Sequence, residues 1–375
     1  MTASDALLDA LATDLCAAIE GPADAWSPAR FDHLADRLAA FQRSRITPWQ
    51  ALLRARNIAD NAPWYAILPV PTLAFRRFLM WAGPGSPSHI FQTSGTSGHT
   101  PGRAPMGAHG LRVMAASIRA NARRMLLVED APATRILVLA PPPALAPTMI
   151  MAHGMAQLVD EHGLPGSRFL VGQQGLDRAA LMGELAAASQ GQGPPLTLIG
   201  ASFGFVHLLD GLAEAGVCFE LPEGSRLMHA GGFKGRSRTV AEDDLLKAFH
   251  ERLGLPAHRC VNLLGMTELA SQLYDNVLRD GSAEPRFKVC PPWVRTEVVD
   301  PATLDPVPVA TRGLLRHTDL ANLTHPFRIQ TDDLGERLPD GPGGEVRFRV
   351  HGRATADGSR GCSLTAEGWA EGTGG

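Results

Sequence analysis

The sequence is short of lysine. Of its 35 basic residues, only Lys234, Lys247 and Lys288 are lysines, so chemistry that needs an amine must draw on these three or turn to arginine. It contains no uninterrupted run of about 18 apolar residues, so no membrane span is expected. The N-terminal stretch MTASDALLDALATDLC carries acids and no basic region ahead of an apolar one, which argues against a secretory leader. Cysteine is sparse: Cys16, Cys218, Cys260, Cys290 and Cys362 form no Cys-x-x-Cys pair and no Cys/His cluster at zinc spacing. Reduced thiols in a cytoplasmic protein are expected, with the first four packed in apolar contexts. The net charge of −3 offers no excess of positive charge for a nucleic acid.

What is present is a globular composition, 45% hydrophobic and 19% charged over 375 residues. Helical periodicity is expected over 4–20 and 28–58, followed by a Pro-punctuated apolar stretch, Pro63–Trp81, that wraps onto the main body. Residues 91–105, FQTSGTSGHTPGRAP, carry the densest loop signal. Helical stretches near 109–127, 147–160, 177–189, 206–215 and 240–253 then alternate with strands at 135–143, 195–202 and 225–229 and with a strand that runs into a loop within 260–268. Such alternation predicts a parallel α/β body. Beyond about 290, short strands joined by Gly/Asp turns predict a smaller β-rich subregion.

Two motifs stand out from the residues themselves. In Thr93-Ser94-Gly95-Thr96-Ser97-Gly98, hydroxyls alternate with glycines. Glycine lets the backbone approach a ligand and the hydroxyls add donors, which suits a polyphosphate. A Walker A loop is excluded because GxxxxGK[ST] is absent. The second motif is Gly200-Ala201-Ser202-Phe203-Gly204, a GxSxG between an expected strand and an expected helix. That is the context of a serine-hydrolase nucleophile, with Asp300, Asp319, His317, His325 and His351 downstream as possible partners.

Three segments in order, TSGTSGHTPG from Thr93, LLGMTE ending at Glu268 and IQTDDL through Asp333, resemble the adenylate-forming superfamily of acyl-CoA ligases and luciferases. That resemblance implies an α/β fold, the large N-terminal domain of these ligases with a β-rich C-terminal subregion. It also implies ATP and Mg²⁺ as cofactors. Thr93, Ser94, Gly95, Thr96, Ser97 and Gly98 would hold the phosphates. Gly265 would belong to the ATP site, Thr267 would lie near the α-phosphate, and Glu268 would help hold Mg²⁺. Gly231, Gly232 and Phe233 would flank adenine, while Asp333 and Arg353 would contact the ribose. Gly200, Ser202 and Phe203 would border the acyl pocket.

Two departures narrow the resemblance. No lysine follows Lys288, and the chain ends about 20 residues after Arg353, so the C-terminal lid domain with its lysine is expected to be absent. The phosphate loop carries Arg103 where lysine and glycine are usual. One branch lacks the lid: the LuxE-like acyl-protein synthetases of bacterial bioluminescence. Leu68-Pro69-Val70-Pro71 followed by Phe75, Gly231-Gly232-Phe233-Lys234, and Gly352-Arg353 with Arg360-Gly361-Cys362-Ser363-Leu364 are similar to that branch, although Arg76 stands where it has lysine. The resemblance implies that Cys362 accepts the acyl group from acyl-AMP and passes it to an acceptor protein. Lys234 would contact phosphate or the carboxylate.

The expected activity is ATP-dependent activation of a hydrophobic carboxylic acid. The acceptor is a reductase, a carrier protein or CoA, and no nucleic acid or membrane span is involved. An acyl-CoA or amide-forming ligase, a serine hydrolase at Ser202 and a non-catalytic nucleotide-binding module are the alternatives. The expected organisation is a helical segment over 1–85, an adenylate-forming domain over 86–365 and a tail over 366–375.

Overall fold

A computed structural model describes residues 3–93, 100–128, 133–231 and 237–354. The chain forms two compact units that interleave along the sequence. The first takes residues 1–117, 266–271 and 287–375; the second takes 118–265 and 272–286.

The second unit is the α/β body. Its six-stranded sheet runs, edge to edge, Leu273–Tyr274, Cys260–Leu264, Arg226–Ala230, Leu196–Ala201, Arg135–Leu139 and Arg168–Phe169. All neighbours are parallel except the short edge strand Leu273–Tyr274, which is antiparallel. Parallel strands covered on both faces read as continuous apolar runs. Leu196–Ala201 is buried at every position. Leu137, Leu198 and Leu227 pack with Phe205 and Phe249 from two helices, whose rings meet edge to face at 5.5 Å between centroids.

The first unit is β-rich. Its main sheet runs Lys288–Val289, Arg347–Arg353, Arg328–Leu338, Arg312–Asp319 and Val294–Val299, with antiparallel pairings throughout. The two-residue strand Val70–Pro71 adds to Arg328–Leu338 in parallel. This pairing docks the Pro-punctuated stretch after residue 63. Trp49, from an N-terminal helix, packs edge to face on Phe327 at 6.3 Å.

Two local expectations are corrected. The helix expected over 28–58 is two helices, Pro28–Arg43 and Thr47–Ala55. Pro48 in the first turn of the second explains the break, because it has no N–H to continue the preceding ladder. Residues 91–105 are not loop throughout. His89–Gln92 and Arg103–Met106 pair as an antiparallel hairpin, so the loop signal belongs to the residues between them.

Candidate active site

In the first unit, pieces of all three ordered motifs come together. The hairpin is clasped at Thr93: its N–H donates to the Gly102 carbonyl at 2.9 Å, and its hydroxyl accepts the Gly102 N–H at 2.8 Å. A Cβ added at Gly102 would lie 3.1 Å from Thr93 Cγ2 and 3.6 Å from Glu268 Oε1. The tight neighbour of such a Cβ is Thr93, and the Glu268 carboxyl lies in ordinary contact range beside the base of the hairpin. Thr267 adds a long hydrogen bond, hydroxyl to Gln92 carbonyl, at 3.4 Å.

Glu268 is buried, and burial raises its carboxyl to about 7; Arg353 and Arg76 oppose the rise and Asp333 adds to it. Asp333 and Arg353 face each other across paired strands, with Arg353 Nε 3.3 Å from Asp333 Oδ1. Burial also raises the Asp333 carboxyl, against the pull of Arg353. Two carboxyls and two guanidiniums thus share one region. Arg76, on the short helix Ala74–Arg77, is the member that motif reading did not place there. Its only signal was its position after Phe75, where the resembling branch has lysine.

Among the described residues, no group of three or more His, Cys, Asp or Glu could hold a metal. A single buried carboxyl that burial holds near neutrality still fits Mg²⁺. This ion commonly takes one or two protein carboxylates and fills its shell with phosphates and water.

In the second unit, three adjacent parallel strands present the other expected residues at their carboxyl ends, where α/β sheets bind ligands. Gly200 lies near the end of Leu196–Ala201, Ser202 and Phe203 follow that strand, Gly231 follows Arg226–Ala230, and Gly265 follows Cys260–Leu264. Gly200 is a packing position: an added Cβ would lie 3.1 Å from Leu139 Cβ and 3.2 Å from Phe205 Cε2. Phe203 is half-buried and Gly265 exposed. Gly231 has φ +72°.

Ser202 is buried. Its hydroxyl donates to the Gly231 carbonyl at 2.8 Å and lies 3.0 Å from His229 Nδ1. His229 Nε2 is 3.3 Å from Glu242 Oε1. This Ser–His–Glu array differs from the one the serine-hydrolase alternative requires. Ser202 is the first residue of an ordinary helix and does not have the positive φ of a strained elbow. Its proton is directed at a carbonyl. The histidine beside it is none of those expected, and Asp319 is committed to Ser271 and Ala321. The array instead ties the ends of neighbouring strands, with Asn262 Nδ2 3.4 Å from His229 Nδ1.

Of the four cysteines expected to pack, two are buried and two are not. Cys260 and Cys290 are buried, and burial raises each thiol to about 12. Cys218 is exposed, with Arg252 Nη1 3.3 Å from its sulfur, and Cys16 is half-buried. Ser94, Gly95, Thr96, Ser97, Gly98, Gly232, Phe233, Lys234 and Cys362 lie outside the described residues.

Known proteins bear on this arrangement. The family model for acyl-protein synthetase, LuxE, matches residues 90–368. The Long-chain-fatty-acid--luciferin-component ligase of Vibrio harveyi is 25% identical over 203 residues, covering 52% of this chain and 51% of that protein. Its counterpart from Aliivibrio fischeri is 29% identical over 175 residues, covering 45% and 44%. The match thus spans about half the length of these curated relatives. Among solved structures, an open conformation of 2-hydroxyisobutyryl-CoA ligase with 2-HIB-AMP and CoA superposes with a TM-score of 0.62. It is 15% identical, over 86% of this chain and 69% of that one. The same ligase in its postadenylation state gives 0.60 at 17% identity, over 87% and 68%. At such identities the likeness is one of fold, and the fold is that of the adenylate-forming ligases. With a family match over most of its length, the chain belongs to the LuxE family of acyl-protein synthetases.

Proposed function

We propose that this protein activates a carboxylic acid with ATP and transfers the acyl group through Cys362 to an acceptor. The observation that carries this reading is the convergence of Glu268, Asp333 and Arg353 beside the Thr93–Gly102 clasp, drawn from motifs far apart in sequence. A carboxylate oxygen of the acid attacks the α-phosphorus of ATP. The bond from that phosphorus to the β-phosphate bridging oxygen breaks, and pyrophosphate leaves. The resulting mixed anhydride is a far better acyl donor than a carboxylate. The Cys362 thiolate then attacks the acyl carbonyl, AMP departs with the former carboxylate oxygen, and a thioester remains.

Residues 93–98 and Lys234 would provide donors to the phosphates. Thr267 and Gly265 would lie against the α-phosphate, and Asp333 and Arg353 would orient the ribose. Gly231, Gly232 and Phe233 would border the adenine, and Gly200, Ser202 and Phe203 the acyl group. Glu268 would hold Mg²⁺, which when bound offsets the charge that gathers on the departing pyrophosphate. The names of the Vibrio and Aliivibrio relatives favour a long-chain fatty acid as substrate. A protein thiol is the acceptor class that fits a thioester donor.

The test is intact-mass spectrometry after incubation with ATP, Mg²⁺ and a panel of carboxylic acids, comparing wild type with Cys362→Ala. A hydroxylamine-labile adduct that the substitution abolishes is expected, and its mass identifies the acid. Acid-dependent ATP–pyrophosphate exchange without an adduct would keep adenylation and remove Cys362 from the route. Absence of both the adduct and the exchange would overturn the proposal.

A further inference from the structure

We propose that Asn322 is a positioning residue for Glu268, held in place by Gln42 and assisted by Asp319; this rests on the role given to Glu268 above. Residues 266–271 form neither strand nor helix, so beyond the Leu269 N–H, which donates to the Met266 carbonyl at 3.2 Å, their peptide groups draw partners from outside a regular ladder. Buried side chains supply them. Asn322 Nδ2 donates to the Glu268 carbonyl at 2.8 Å and to the Pro326 carbonyl at 2.8 Å, while its Oδ1 accepts the Ala270 N–H at 2.7 Å. Asp319 accepts the Ser271 N–H at 2.8 Å, the Ser271 hydroxyl at 2.7 Å and the Ala321 N–H at 2.9 Å. Two side chains thus hold the main chain at Glu268, Ala270 and Ser271, and both have zero exposure.

The clamp is itself held. Gln42, on the helix Pro28–Arg43, donates to the Asn322 carbonyl at 2.5 Å and to the His325 carbonyl at 2.7 Å. Its Oε1 accepts the Phe327 N–H at 3.0 Å. This glutamine is also wholly buried. An N-terminal helix therefore braces the turn that carries Asn322, and Asn322 braces the residue whose carboxyl faces the clasped hairpin. A side chain can meet a ligand repeatedly in one geometry only if its main chain is fixed, and a misplacement of about 1 Å can cost on the order of 100-fold in rate.

Asn322→Asp is the direct test. It keeps shape and acceptor but sets a carboxylate oxygen against the Glu268 and Pro326 carbonyls. The primary readout is binding of a fluorescent ATP analogue with and without Mg²⁺, which needs no acid. Alongside it run ATP–pyrophosphate exchange with whichever acid forms the adduct above, and thermal unfolding. The expected result is at least about a tenfold loss of the Mg²⁺-dependent gain in nucleotide affinity. In the exchange, kcat falls while the KM for the acid holds. Asn322→Ser, which keeps one donor in a smaller side chain, shows a partial effect well below its own unfolding midpoint and replaces the aspartate variant if that does not fold. A lowered midpoint with unchanged Mg²⁺-dependent binding and unchanged kcat would overturn the proposal. Glu268→Gln in parallel separates the two claims. If it too binds and exchanges as wild type does, the role of Glu268 fails; if it alone is impaired, only the clamp fails.

Discussion

Replacing Glu268 by glutamine should stabilise the nucleotide-free protein at alkaline pH and hardly change it at acid pH. The carboxyl sits at about 7 in the folded protein against an ordinary 4.5, chiefly because burial disfavours its charge. Below the ordinary value both folded and unfolded chains carry the proton, and Glu268 contributes nothing. Between the two values the unfolded chain has released its proton while the folded one keeps it, so stability falls as pH rises. Above about 7 both are ionised, and the folded state bears the full cost of a buried charge, about 3 kcal/mol from the gap between the two values. Glutamine has the same shape and no charge. The midpoint of Glu268→Gln minus that of wild type should therefore grow between about pH 5 and pH 8, reaching a few degrees for a chain of this size. Scanning fluorimetry across that range measures it directly, because the difference between the two proteins cancels the titrating groups that do not interact with Glu268. Mg²⁺ with ATP should erase the difference by giving the carboxylate a partner. A pH-independent difference, or a glutamine variant less stable than wild type at alkaline pH, would refute the reasoning.

Other outcomes follow from the same geometry. Ser202→Ala removes the hydroxyl donor to the carbonyl of the exposed Gly231 and should cost about 0.5–1.5 kcal/mol; a fluorophosphonate should not label wild-type Ser202, and stoichiometric labelling would restore the hydrolase. Gly335→Ala would set a Cβ 2.4 Å from the Arg349 carbonyl oxygen and 2.6 Å from Leu315 Cδ2. The strand carrying Asp333 must then shift, so a loss of about 1–3 kcal/mol should accompany weaker nucleotide binding; an unchanged unfolding midpoint would count against it. In a native thiol titration, Cys218→Ser should remove one reactive group, while Cys260 and Cys290 should stay silent until the protein unfolds.

Much of this protein is legible in one dimension. The alternation of apolar runs and helical periodicity is local, and it predicts the parallel α/β body and the β-rich region after 290. The ordered motifs around Thr93, Glu268 and Asp333 point to the family and its fold. The expected helix over 28–58 misses the break near Pro48 because apolar periodicity continues across it, and the loop signal of 91–105 hides two short strands at its ends.

Other features have no local signature. Cys218 and Cys260 both sit among apolar neighbours in sequence, yet one is exposed and the other buried, because burial depends on what packs over a residue. The GxSxG pattern is satisfied at Ser202, but the backbone there is ordinary helix and the hydroxyl serves a carbonyl. Asn322 lies 54 positions from Glu268 and 280 from Gln42, and nothing in its own neighbourhood marks it. The sequence by itself determined which chemistry the chain has the groups to attempt. Tertiary structure alone decided which carboxyl is buried and what holds it, because desolvation and hydrogen-bond partners are properties of the packed surroundings.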